Sequence, residues 1–227
     1  MTITATMTRK QRDRAARQQL ILEKSKELFL ARGFEAVTIQ DICHAIEYGR
    51  SVFYSHFESK EEVYHHIKLE GINLLADFLQ VIDPEAKDLD SELDKCADIL
   101  FEFYRDHRLF YEAMFLLPVP EIPIALQERI TLAEQRAAER PLQLLRRRLA
   151  SGAIRSLPPE ELVFLYWTAL AGIINYYIQH GDESDKEQIR AHCRRYSDIF
   201  AAGISGPMSA RSKDVSRRSS KLKTPAG

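Results

Sequence analysis

Between Gly33 and Ser59 the chain carries so many helix start and stop signals that only short helices and tight turns fit. Just upstream, Ile21, Ser25, Leu28 and Phe29 fall at i, i+4, i+7 and i+8, one face of a helix. Gly33 then supplies a stop. Thr38-Ile-Gln-Asp41 reads as a capped start, with Asp41 in the glutamate position of a capping box. Ile39, Ile42, Cys43 and Ile46 give that helix an apolar side. Residues 46–48 are the expected turn, and Gly49 to Ser55 fit another short helix. Ser59-Lys-Glu-Glu62 is a second capping box, opening a longer helix that extends to Val81 and breaks at Asp83-Pro84.

Downstream the helical pattern continues. Helices are expected over Leu89–Asp106, His107–Leu117, Ile124–Ser151, Pro158 to Gln179 and Ser184–Ile204, with Pro141 kinking the long one. Gly 9 and Pro 9 are too few for a strand-and-turn-rich chain of 227 residues. The expected fold class is therefore all-α, about nine helices, with an N-terminal helix-turn-helix domain and a larger C-terminal helical domain. The boundaries read as a disordered N-terminus over 1–8, the first domain over 9–60, the second over 61–204, and a disordered basic tail over 205–227.

Charge follows the same division. The chain carries a net −1, but residues 1–60 hold +3, residues 205–227 hold +5, and residues 61–204 hold −9. Basic ends around an acidic body suggest that an end, not the body, meets a polyanion. No apolar run opens the chain, so no signal peptide is expected. Cys43, Cys96 and Cys193 are odd in number and far apart, which suits a reducing cytoplasmic compartment.

Three short helices closing on a tight turn have helix-turn-helix spacing, in which the last helix enters the DNA major groove. That helix must be short and polar on its outer face, a face supplied by Arg50, Ser51 and Tyr54, while Phe53 and Phe57 supply its buried side. Arg50 can read a guanine edge or bind a phosphate. Val52 offers methyl groups to a thymine methyl. Thr38 and Lys60, each at a helix start, can approach phosphates beside unpaired N–H groups. Arg9, Lys10, Arg12, Arg14 and Arg17 read either as an arm on DNA or as a solvated charge run.

Leu28-Phe29, Gly33-Phe34, Thr38-Ile39, Asp41-Ile42, Tyr54, His56-Phe57, Ser59-Lys60 and Glu61-Glu62 together resemble the TetR family of bacterial transcriptional regulators. The resemblance covers Ile21 to Glu62. It implies that Tyr54 and His56 contact the DNA backbone. It also implies a homodimer on double-stranded DNA with an inverted-repeat operator, and repression relieved by a small molecule. Two departures stand out. Glu47 occupies the turn position where the family usually has Gly, so it must avoid a positive φ or bear its cost. Gly49 replaces the usual Ser-type cap.

The resemblance further implies a pocket for a small apolar or aromatic ligand in the aromatic-rich body. Tyr104, His107, Met114, Trp167, Asn175 and Tyr176 are its candidates, and the body's negative charge favours a neutral or cationic compound. Leu162 to Ile178 has no formal charge, too short a run for a comfortable membrane span and better suited to a helix buried on two sides. Ala169 and Gly172 on that helix allow a second chain to approach, so they are the candidate dimer-interface residues. No cofactor, metal site, membrane role or enzyme motif is expected. Glu62-x-x-His65 has half of a di-iron spacing, but its second half is absent. The competing readings are a ligand-independent regulator or activator, a helical carboxylate-metal enzyme, and a membrane-associated helical protein.

Overall fold

The computed structural model describes residues 8–117, 122–154, 157–180 and 185–205. Its helices are α1 (Arg9–Arg32), α2 (Ile39–Ala45), α3 (Arg50–Tyr54) and α4 (Lys60–Phe78), the last prolonged by a 3-10 turn, Leu79–Val81. Then come α5 (Leu89–Asp106), α6 (Arg108–Phe115), α7 (Ile124–Ala150), α8 (Pro159–His180) and α9 (Lys186–Ile204). Among the described residues there is no strand, and one isolated bridge joins Ile154 to Ser205. The fold is all-α, as expected.

The first helix departs most from expectation. It begins at Arg9, well before the apolar pattern that opens at Ile21, because Thr8 and Gln11 form a complete capping box: Gln11 Oε1 accepts from the Thr8 N–H at 2.8 Å, and Thr8 Oγ1 accepts from the Gln11 N–H at 3.3 Å. Residues 9–20 have no apolar stripe, but Arg, Lys, Gln and Ala are all good helix formers. Thr8 is thus a cap and not part of a disordered start. Residues 1–7 and 206–227, which hold the rest of the two expected disordered ends, lie outside the described residues. Gly33 ends α1 at φ +78°, a conformation L side chains rarely adopt.

The chain forms two compact units. The first comprises Met1–Ala76 with Phe103–Arg136. Its core joins Ile21 and Phe29 of α1, Phe34 and Val37 of the connection, Ile42 and Ile46 around α2, Phe53 and Phe57 around α3, and Val63, Tyr64 and Ile67 of α4. Ala113 of α6 completes it. Gly71 lets α4 and α6 approach closely: a Cβ there would stand 2.8 Å from Phe110 Cβ and 3.3 Å from Met114 Sδ. Lys26 of α1 holds Glu70 of α4 at 3.0 Å.

The second unit comprises Asp77–Glu102 with Ala137–Gly227. Leu162, Val163, Tyr166, Leu170, Ile174 and Tyr177 form the buried face of α8, which packs along α9. The Tyr166 hydroxyl donates to the Leu93 carbonyl at 2.6 Å and pairs with Ser197 Oγ at 2.7 Å. The opposite face is open. Phe164, Leu165 and Tyr176 are 66%, 48% and 59% exposed, and Gly172 stands in open space. The helix expected to be buried on two sides is therefore covered on one. By length and composition alone α8 could cross a membrane, but its buried face is a packed surface with a satisfied polar network. All three cysteines are buried free thiols, and burial raises their pKa values, those of Cys96 and Cys193 to about 12.

Candidate nucleic-acid interface

The capping box that starts α2 is fully formed. Thr38 N–H and Oγ1–H both donate to Asp41 Oδ2, at 2.8 and 2.6 Å, and Asp41 N–H donates to Thr38 Oγ1 at 3.2 Å. Arg32 pairs with the other Asp41 oxygen at 3.1 Å. Hydrogen bonds from the Thr38 side chain and backbone, aided by Arg32, hold the Asp41 carboxyl at about 2. The cap stays ionised at neutral pH and is lost only as acid approaches that value.

Three backbone bonds close α2: Ile46 N–H to the Ile42 carbonyl (3.0 Å), Glu47 N–H to His44 (3.2 Å) and Tyr48 N–H to Cys43 (3.2 Å). The last two make a Schellman motif, which requires a left-handed residue between helix and exit. Glu47 fills that position at φ +58°. Gly49 then caps α3 with backbone alone.

The short α3 presents one face outward. Arg50 and Ser51 are exposed, Val52 is half-buried, and Tyr54 is 53% exposed with its ring edge-on to Phe53 at 5.6 Å. Phe53 is fully buried beneath them. Arg50 donates to Gln40 Oε1 of α2 at 2.6 Å, so α2 orients the guanidinium on the outer surface. Two residues that the sequence reading did not single out belong here. Gln40 is exposed and holds Arg50; Tyr48 is 43% exposed beside Gly49, and both line a cleft of about 630 Å³ with His44 and Arg50. Their only sequence signal was position: Gln40 falls outside the apolar set of α2, and Tyr48 falls in the expected turn.

The two helix-start candidates are placed differently from a free phosphate contact. Thr38's hydroxyl is engaged by its own cap. The Lys60 ammonium donates to the carbonyls of Phe34 and Val37, both at 2.9 Å, and to Glu35 at 3.4 Å. It also stands 4.3 Å over the Phe34 ring. All three of its donors thus have acceptors in the α1–α2 connection. Ser59 caps α4 through Glu62 N–H at 3.1 Å, but the Glu62 carboxylate accepts from Glu58 N–H, so the expected second capping box is half made. Among the described residues no three His, Cys, Asp or Glu side chains converge as metal ligands.

A second basic surface lies beside the end of α3. Arg9, Lys10, Arg14 and Arg17 of α1 line a cleft of about 570 Å³ with Ser55 and His56. Arg14 reaches the Ser55 carbonyl at 3.4 Å, and the buried Nδ1 of His56 has no hydrogen-bond partner. Burial first, then the Arg14 and Arg17 charges, lower the His56 pKa.

Residues 21–67 match the family described as bacterial regulatory proteins, tetR family. The chain is 47% identical over 55 residues to the HTH-type transcriptional regulator TcmR of Streptomyces glaucescens, a stretch covering 24% of each protein. It is 46% identical over 44 residues to the HTH-type transcriptional repressor DhaR of a Mycobacterium species, 19% of this chain and 22% of DhaR. Beyond that stretch the fold itself matches. A SmeT–triclosan complex superposes with a TM-score of 0.58 over 84% of this chain and 92% of SmeT, at 19% identity. The family match is to the helix-turn-helix part, residues 21–67. Alignment with the two relatives TcmR and DhaR spans about a quarter of their length, the helix-turn-helix part.

Within the matched stretch the left-handed Glu47 has a measurable cost. An L residue in that region costs roughly 1–2 kcal/mol, of which glycine's own entropy returns part. Glu47→Gly is expected to stabilise the chain by about 0.5–1 kcal/mol, read as a higher urea midpoint. An unchanged or lower midpoint would show that the Glu47 side chain contributes more than its backbone costs.

The six ligand candidates do not form one set in either unit. Tyr104, His107 and Met114 lie in the first unit, and Trp167, Asn175 and Tyr176 in the second. Tyr104 is buried against Tyr111 with the Arg108 guanidinium over its ring. His107 packs between Phe103 and Phe110. Trp167 is edge-on to Tyr166, Asn175 is half-buried, and Tyr176 stacks on His180 at 4.1 Å on the exposed side of α8. Met114 lines a cavity of about 440 Å³ in the first unit.

Proposed function

We propose that this chain is a sequence-specific DNA-binding transcriptional regulator of the cytoplasm. It acts as a homodimer on an inverted-repeat operator and represses until a small molecule releases it. The observation that carries this reading is the outward face of α3, with Arg50 held by Gln40 and Tyr54 exposed, on a core shared with the 21–67 match. The functional division falls at 60/61, with residues 61–204 serving regulation and dimerisation. Repression is supported by the matched repressor DhaR, and ligand response by the complex of the structurally similar SmeT with triclosan. The open apolar face of α8 around Ala169 and Gly172 supports the dimer.

On DNA, Arg50, Ser51 and Val52 read bases, while Tyr54, His56 and the Arg14–Arg17 stretch of α1 meet phosphates. Selection from a random duplex pool should recover an inverted repeat. Changes at Arg50 or Val52 should alter preference between sites. Arg14→Ala and Arg17→Ala should each weaken all sites alike and lower the salt slope by about 1. If no duplex is enriched, the regulator reading fails. If wild-type binding is seen but neither arginine affects the salt slope, α1 is not part of the interface.

A further inference from the structure

The cavity of about 440 Å³ in the first unit lies between Tyr64, His65 and Lys68 of α4 and the stretch from Ala113 to Leu117. Tyr64 and Lys68 are one helical turn apart, so both project from the same face of α4. Tyr64 is 1% exposed, and its buried hydroxyl has no hydrogen-bond partner. A native fold rarely leaves a buried hydroxyl unsatisfied, because its desolvation is not repaid. Burial above all, and then the Glu112 charge, push this phenol's pKa upward, so it remains a donor at any physiological pH. Glu112 itself is paired with Arg108 at 2.6 Å. His65 also lines the cavity, and the rest of the wall is apolar, including Met114, Phe115 and Leu116.

We propose that this cavity binds a small amphiphilic carboxylate, its apolar body against Met114, Phe115 and Leu116 and its carboxylate oxygens on the Lys68 ammonium and the Tyr64 hydroxyl. The inference deepens the ligand-responsive reading above and rests on it for its consequence, though not for binding itself. It also reverses the ligand charge expected from the acidic body. Exposed charges more than about 8 Å away are largely screened at physiological salt, so the cation at the cavity wall decides.

Occupancy has a route to the reading helices. The Tyr64 ring packs 4.5 Å from Phe34 and 5.8 Å from Phe29. Phe34 in turn lies under the Lys60 ammonium and offers it a carbonyl. A carboxylate that draws the Tyr64 hydroxyl therefore pulls on the ring supporting the α1–α2 connection. Further along, Gly71 already lies against α6, so the two helices have no slack in which to absorb the movement.

The test uses 1-naphthoate and 1-naphthalenemethanol, which share a ring system and differ in charge. Calorimetric titration of the full chain without DNA should show saturable naphthoate binding at least tenfold tighter than the alcohol. Lys68→Met should abolish that preference. Tyr64→Phe should weaken naphthoate several-fold yet raise the Tm of the unliganded chain, because it removes an unsatisfied hydroxyl. A purely structural tyrosine would not give these opposite signs. No saturable naphthoate binding, equal affinity for the two compounds, or a preference that survives Lys68→Met overturns the site. A chain that binds naphthoate but no duplex leaves the site standing and sinks the regulator reading instead. Naphthoate binding that leaves operator affinity unchanged overturns the coupling through Tyr64.

Discussion

Gly172→Arg is expected to leave each chain folded and to abolish self-association. Nothing lies within 4 Å of a Cβ at Gly172, so the chain can accept the side chain. Arginine is also the better helix former, by about 1 kcal/mol. Stability of the single chain should thus hold or rise slightly. The outcome changes if α8 meets its copy. Phe164, Leu165 and Tyr176, with the 64% exposed Ile199 of α9, would then be covered, and the guanidinium would be buried without a partner at a cost of several kcal/mol. Sedimentation at micromolar concentration reads the result. The wild type should run at twice 26.2 kDa and the variant at 26.2 kDa. A wild type at 26.2 kDa removes the dimer, and a variant that stays dimeric moves the interface off α8. Operator affinity should fall with dimerisation, since a two-fold protein matches an inverted repeat only when both reading helices are held together.

The second large effect is expected at Lys60. Replacing it by Met keeps the stem over the Phe34 ring and removes the ammonium that serves the Phe34 and Val37 carbonyls. Hydrogen bonds to charged groups are worth about 1.5–3 kcal/mol each. This site is only partly buried and water can return to the carbonyls, so a total loss of about 1.5–3 kcal/mol is expected. The urea midpoint should fall, while the salt slope of DNA binding should change by less than one unit. A direct phosphate contact gives the reverse, with stability unchanged and the slope lower by about 1. Finding that reverse pattern would return Lys60 to the DNA surface.

Much of the helical order is legible in the amino-acid sequence because the helix ends are local. Thr38 with Asp41, Gly33 and Pro159 act within four residues of themselves, and α2 to α9 begin and end close to where these signals put them. The start of α1 escaped notice because a helix without an apolar stripe has no periodicity to read, and its capping box uses Gln11. The role of Lys60 was hidden for a different reason. Its acceptors lie 23 to 26 residues back in the chain, and a lysine at a helix start looks the same whichever way its ammonium turns. The outward set Arg50, Ser51 and Tyr54 could be inferred, since Phe53 and Phe57 had to face inward. The cavity between α4 and α6 could not, because Tyr64, Lys68 and Met114 share no spacing motif.

The placement of the cysteines gives the chain built-in reporters of its own breathing. Cys43 lies in the first unit and Cys96 and Cys193 in the second, all buried and all shifted toward the unreactive protonated form. A thiol reagent can modify such a group only while the structure around it is open, so each labelling rate measures an opening equilibrium. Cys43 reports on α2 and its neighbours, and the other two on the packing of α5, α8 and α9. With no disulfide to hold either unit closed among the described residues, the same three side chains make the protein a natural subject for native-state thiol exchange.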